Sequence, residues 1–76
     1  VDPERVLEEA EARRMVHGAL AGLNQRDRML LLMRQAGFSH REMAEAVGTT
    51  TKSVGSMIAR ALRKFAQNLP RSEVDP

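Results

Sequence analysis

The sequence predicts an all-α fold, a small four-helix domain with a C-terminal helix-turn-helix. Three observations predict it. Apolar residues recur at helical spacing along the chain, and no stretch alternates as a strand would. Capping residues and glycines cut that pattern into four segments. The third segment is short, a glycine turn follows it, and the fourth is long and basic.

Length and composition bound what such a chain can do. At 76 residues it makes one domain, and a domain of this size buries only about 60 to 65% of its unfolded surface. There is room for one small core and none for a deep catalytic cleft. The absence of cysteine excludes disulfides and thiolate metal sites and suits a reducing compartment. No apolar run approaches the roughly 18 residues of a membrane span, and no signal peptide is visible. The expectation is a soluble, cytoplasmic chain with no membrane partner. Val1 in place of methionine, and "VDP" at both ends, read as a piece of a larger or processed protein.

Each helix has its own justification. Asp2, Pro3 and Glu4 read as an N-cap, a first-turn proline and a first-turn acid, opening an acidic helical lead-in over residues 1–15. Val16, Ala19, Leu20 and Leu23 then form one apolar stripe on a first helix that ends near Gly22 to Asn24. A second helix runs from about Gln25 to Gln35. Its centre, "MLLLM" at 29–33, is apolar on nearly all sides and is expected in the middle of the bundle.

Gly37 closes that helix. Ser39 and Glu42 make a capping box for the third, with Phe38 and Met43 as its hydrophobic staple. Gly48 supplies the left-handed residue that ends the third helix. Thr50 caps a fourth, which runs to about Asn68 before Pro70 forbids more. The compact domain is thus expected over 16–69, with a tail over 70–76.

The relation of the last two helices points to function. Ala44 is small where they must cross, Gly48 makes the turn, and Val54 and Ile58 point back to meet Met43 and Val47. In a helix-turn-helix the second helix offers its N-terminal residues to base edges in the major groove. That makes Thr50, Thr51, Lys52, Ser53, Gly55, Ser56 and Arg60 the candidate DNA-binding residues. A helix N-terminus aimed at phosphate has free N–H groups and the positive end of its dipole, and short hydroxyls add donors without bulk. The competing structural roles are capping for Thr50 and Ser53, and packing of Gly55 against a large side chain of the first helix.

Charge supports this placement without deciding it. The net charge is only +2, yet Lys52, Arg60, Arg63, Lys64 and Arg71 occupy residues 49–71 with no acid among them. Such a stretch is either a phosphate-facing surface or a solvated helix whose cations favour the C-terminal end of the dipole. Arg63 and Lys64 lie too far along for bases and are expected to be solvated or backbone-facing. Arg26 and Arg28 open the second helix against its dipole, which implies a partner for them. Phosphate is one, and with Arg41 they are the candidate phosphate contacts.

Other chemistries find no support. His17 and His40 are isolated, so no metal site and no cofactor is expected. Met15, Met29, Met33, Met43 and Met57 read as core filling, with Met57 a partner contact if exposed. Phe38 and Phe65 are the only aromatics, too few for a base-stacking platform. No nucleophile and base converge, and the chain reads as no enzyme.

From about Val16 to Leu69 the chain resembles region 4 of bacterial RNA polymerase sigma factors of the extracytoplasmic-function group. The resemblance rests on "ALAGLNQRDRMLLLMRQAGFSHREMAEAVG" followed by "SVGSMIARALRKF". It implies a DNA-binding domain of a transcription initiation factor that reads the minus-35 promoter element with the helix from about 51 to 68. It also implies docking on the flap of the polymerase beta subunit and, commonly, restraint by an anti-sigma factor. Two departures stand out. Asn24 replaces a usual proline, and Ser53, Val54, Gly55, Ser56 and Met57 stand where members usually read threonine-valine-lysine-serine-arginine. Two alternatives remain at this point. One is a protein-docking module with weak DNA binding that uses the apolar surfaces of the first three helices. The other is the output domain of a LuxR-type response regulator, against which the helical lead-in from Pro3 to Leu23 argues.

Overall fold

The computed structural model describes residues 2–70, so residues 71–76 of the expected tail, Arg71 included, lie outside the described residues. Four helices follow one another: α1 (Pro3–Ala21), α2 (Gln25–Gln35), α3 (His40–Val47) and α4 (Thr51–Asn68). Among the described residues there is no strand, and no helix is long and apolar enough to cross a membrane.

Asp2, Ser39, Gly48 and Thr50 cap the helices where the sequence places them, and Asn24 adds a cap that sequence reasoning did not assign. Asp2 accepts from the Glu4 amide at 3.1 Å and opens α1. Asn24, in the turn between the first two helices, accepts from the Asp27 amide at 2.7 Å and caps α2. Ser39 and Glu42 form the reciprocal box, with the Ser39 amide donating to Glu42 Oε1 at 2.8 Å and the Glu42 amide to Ser39 Oγ at 3.1 Å. Gly48 leaves α3 with φ 75°, in the left-handed region where a side chain would be strained. Thr50 Oγ1 then accepts from the Ser53 amide at 3.2 Å, which starts α4.

The core is built around α4, which packs on each of the other three helices. Leu30 from α2, Met43 from α3 and Val54 from α4 are its largest fully buried side chains. Ala44, Met57, Ile58, Ala61, Leu31 and Leu23 close around them. Burying each of the larger side chains among these contributes about 1.5–3 kcal/mol, and each alanine methyl less. Ala44 is small and buried, as the steep α3–α4 crossing requires.

Three expectations about packing are corrected. "MLLLM" is not surrounded on all sides: Leu30 and Leu31 are buried, but Leu32 is half-exposed because nothing packs on the outer face of α2. Val16, placed on the core stripe of α1, is also substantially exposed, since the helix meets α4 only from Ala19 onward in its buried positions. Met15, read as core filling, is exposed on α1, whereas Met57, read the same way, is buried in the core and offers no partner contact. Phe38, the outer half of the expected staple, is half-exposed and lines a shallow depression with Met29, Leu32 and Met33 of α2 and its C-cap Ala36.

The α3 cap carries a pH dependence. Hydrogen bonds from the Ser39 amide and hydroxyl hold the Glu42 carboxyl below its ordinary value. A depressed folded value means a contribution that is complete above the unfolded pKa of about 4.3. It is lost as pH falls through the lower folded value. An NMR titration from neutral pH should show the Ser39 amide moving with a midpoint below the ordinary glutamate value of about 4.3; a midpoint at that value would remove the box.

Candidate nucleic-acid interface

The buried stripe of α4 leaves an outward face that the helical period fixes. Val54, Met57, Ile58 and Ala61 point inward, so Lys52, Ser56, Ala59 and Arg63 follow one another along the opposite side. Thr51, Gly55 and Arg60 flank that line, and all of these residues are exposed. The structure therefore gathers Thr51, Lys52, Gly55, Ser56 and Arg60 on the open surface of one helix. Ser53 is half-buried at the edge, and Thr50 stands just before the helix as its cap.

The hydroxyls are more internally engaged than their composition suggests. Thr50 Oγ1 and Ser53 Oγ are 2.8 Å apart, and Ser56 Oγ donates to the Ser53 carbonyl at 3.1 Å. Thr50 thus works as a cap, and these three hydroxyls are satisfied before any ligand arrives. Thr51, Lys52 and the free N–H groups of the first turn remain as outward donors.

Gly55 does not pack against α1. A methyl group built there meets nothing within 4 Å, so the expected packing against a large side chain of the first helix is absent. Its helical cost of about 0.8–1 kcal/mol relative to alanine is offset by no contact inside the domain.

The cations separate into engaged and free. Lys64, expected to be solvated or backbone-facing, extends its ammonium to within 3.2 Å of Asp27 Oδ2. Asp27 is almost fully buried at the start of α2; the pair ties α4 to α2, because a buried carboxylate needs a nearby cation. Asn68 adds a second tie, its Nδ2 donating to the Ala19 carbonyl at 3.0 Å.

Arg28 has a partner that sequence reasoning did not find. Its Nη1 donates to the carbonyls of Leu23 at 3.2 Å and Leu20 at 3.5 Å, at the C-terminal end of α1. The cation that sits badly on its own helix dipole sits well on its neighbour's. Arg26 lies 3.9 Å from Asp27 and is otherwise open to solvent. Arg41 is exposed in the first turn of α3, without an ion pair among the described residues. On α4, Lys52, Arg60 and Arg63 are likewise free of ion pairs among the described residues.

A second surface lies apart from this face. Val16 and Leu20 of α1, Leu31 and Leu32 of α2, and Leu62 and Phe65 of α4 line an apolar groove of about 370 Å³, with His17 and Arg34 at its edge. Sequence reasoning missed it, because its walls come from three helices whose mutual placement the period of each one does not give. Among the described residues no cluster of His, Asp or Glu is arranged to hold a metal.

Comparison with known proteins gives one match: the family model described as sigma-70, region 4, matches residues 13–65. No curated protein and no solved structure matches. Replacing Arg28 by alanine should lower stability by about 1 kcal/mol and leave the salt dependence of DNA binding unchanged. A shallower salt slope in a binding titration would instead place Arg28 on a phosphate.

Proposed function

The chain belongs to the sigma-70 region 4 family, and from that premise we propose that α4 reads the minus-35 element of promoters for a sigma factor of the extracytoplasmic-function group. Family membership makes this a DNA-binding helix-turn-helix domain of transcription, and the family is not a catalytic one. The observation that carries the finer reading is the outward face of α4. Lys52 and Arg60 stand on it without an acid from residue 49 to the end of the helix, beside the N-terminal turn that a recognition helix directs into the major groove.

Roles follow from position. Lys52, one residue inside α4, is close enough to the free N–H groups to take a phosphate or a guanine edge. Thr51 and Ser56 approach the same strand, the Ser56 hydroxyl staying on the Ser53 carbonyl. Arg60, two turns on, takes a backbone phosphate. Arg41 and Arg26 extend the contact to the flanking backbone, in the manner of a first helix that crosses the duplex. Arg28 is reserved for α1. The site works in the cytoplasm and requires no cofactor.

The groove between α1, α2 and α4 favours a second contact. Leu32 and Leu62 are 51% and 38% exposed within one concave apolar surface, the kind that accepts an amphipathic helix. In this reading it docks the domain on the beta-subunit flap, and an anti-sigma factor competes there. The family match gives the LuxR-type alternative no support. A module that only docks protein is the remaining competitor.

Two measurements separate these. In a titration of the 76-residue chain with a duplex selected from a random-sequence library, Lys52→Ala should weaken binding and reduce the salt slope by about 1. An unchanged slope would remove Lys52 from the interface. Leu32→Glu with Leu62→Glu, both at exposed positions, should leave DNA binding intact and reduce affinity for an isolated flap fragment at least about tenfold, as burial of one unpaired carboxylate costs more than 1.4 kcal/mol. Undiminished flap binding would move docking elsewhere.

A further inference from the structure

The glycines of this chain do not share one explanation. Gly37 and Gly48 have φ of 90° and 75°, which side chains rarely adopt. Gly22 is crowded, since a methyl group there would stand 2.8 Å from Asn68 Nδ2. Each of these three has a reason inside the domain.

Gly55 has none. It lies within α4 without a positive φ, and a methyl group added to it meets nothing within 4 Å. Glycine is the poorest helix former after proline, so the fold by itself favours alanine here. Gly18 of α1 is the one other glycine in this situation, but its surroundings differ. It follows Arg13 and Arg14 on a helix rich in acids, and it is not part of the outward face of α4.

The surroundings of Gly55 are those of a contact surface. Lys52 lies one turn before it, Ser56 beside it and Ala59 one turn after, all exposed. The Ser56 hydroxyl is folded back onto the Ser53 carbonyl, so nothing tall rises from the patch formed by residues 55, 56 and 59. Lys52, Arg60 and Arg63 stand around it. A low, nearly flat window ringed by cations lets a helix backbone approach a ligand more closely than any side chain would allow.

We infer that Gly55 is the point of closest approach between this domain and duplex DNA, and that its missing side chain sets how deeply α4 seats in the groove. This rests on the reading of α4 as the DNA-contacting helix. Specificity at this point then comes from fit: the hydroxyls nearest the window are held internally, and the base edges opposite Gly55 are selected by shape and by apolar contact with Ala59. Lys52 supplies the charge-dependent part of the affinity, and Gly55 the part that salt does not change.

The test is to compare Gly55→Ala and Gly18→Ala with the unchanged chain and Lys52→Ala, using the library-selected duplex and a scrambled duplex of equal length. Circular dichroism melts accompany each binding curve. Both glycine substitutions should raise the melting temperature. Only Gly55→Ala should weaken binding to the selected duplex, by about tenfold or more at constant salt slope, with little effect on the scrambled duplex; Gly55→Ser, which leaves the same surface uncharged, should weaken it likewise. Unchanged or tighter binding by Gly55→Ala, with Lys52→Ala still lowering the slope, overturns the role of Gly55 and leaves the α4 reading standing. Equal losses for Gly18→Ala and Gly55→Ala overturn it as well, since the effect is then not local. Absence of any binding by the unchanged chain would overturn both readings together.

Discussion

Val54 has no exposed surface because Met43 and Ala44 come down on it from α3 while Leu30 reaches it from α2. α1, α2 and α3 all pack on α4, and none has a core of its own to fall back on. A helix as short as α3, eight residues long, is not stable in isolation. It exists because α4 offers Val54 and Ile58 to its apolar side and because Ser39 and Gly48 terminate it cleanly. The constraint that organises the domain is therefore that α4 must bury one narrow stripe against three partners. Its remaining surface is left free by the same geometry.

Electrostatics reinforce that arrangement by using up some cations and leaving others. Lys64 is committed to Asp27 and Arg28 to the end of α1. Both contacts sit where helices meet, and both fix how α4 and α1 are held relative to α2. Buried or partly buried pairs of this kind cost desolvation, so they act more as registers for the packing than as large sources of stability. The contacts are spent at the joints of the fold, and Lys52 and Arg60 stay on the outer face, where a phosphate can reach them.

Much of this was legible in the sequence, and what was not has a common cause. The four helices follow from local signals: Ser39 with Glu42, Gly48 and Thr50 act within a few residues of themselves, and their effects do not depend on the tertiary fold. The inward positions of α4 followed from its period. The errors concern Leu32, Val16, Met15, Lys64 and Arg28, and each depends on which neighbour lies across from the residue. Arg28 shows this most clearly. On its own helix it is a misplaced cation, and only the placement of α1 beside it reveals the carbonyls it satisfies. The sigma-type family signature was readable from the α2–α3–α4 segment, whereas the apolar groove, which needs residues from three helices, was not.

The two exposed surfaces are coupled by how little material separates them. Leu62 and Phe65 line the groove, while Lys52 to Arg60 form the outward face, so a single helix of 18 residues serves both. Ala61, with no exposed surface, sits between them and is packed against the rest of the core. An interior at this density has few voids to absorb a shift. The groove face and the outward face of α4 are therefore held in a fixed relation by the same packing. The ties from Lys64 to Asp27 and from Asn68 to Ala19 lie at the groove end of α4 and hold it against the start of α2 and the end of α1.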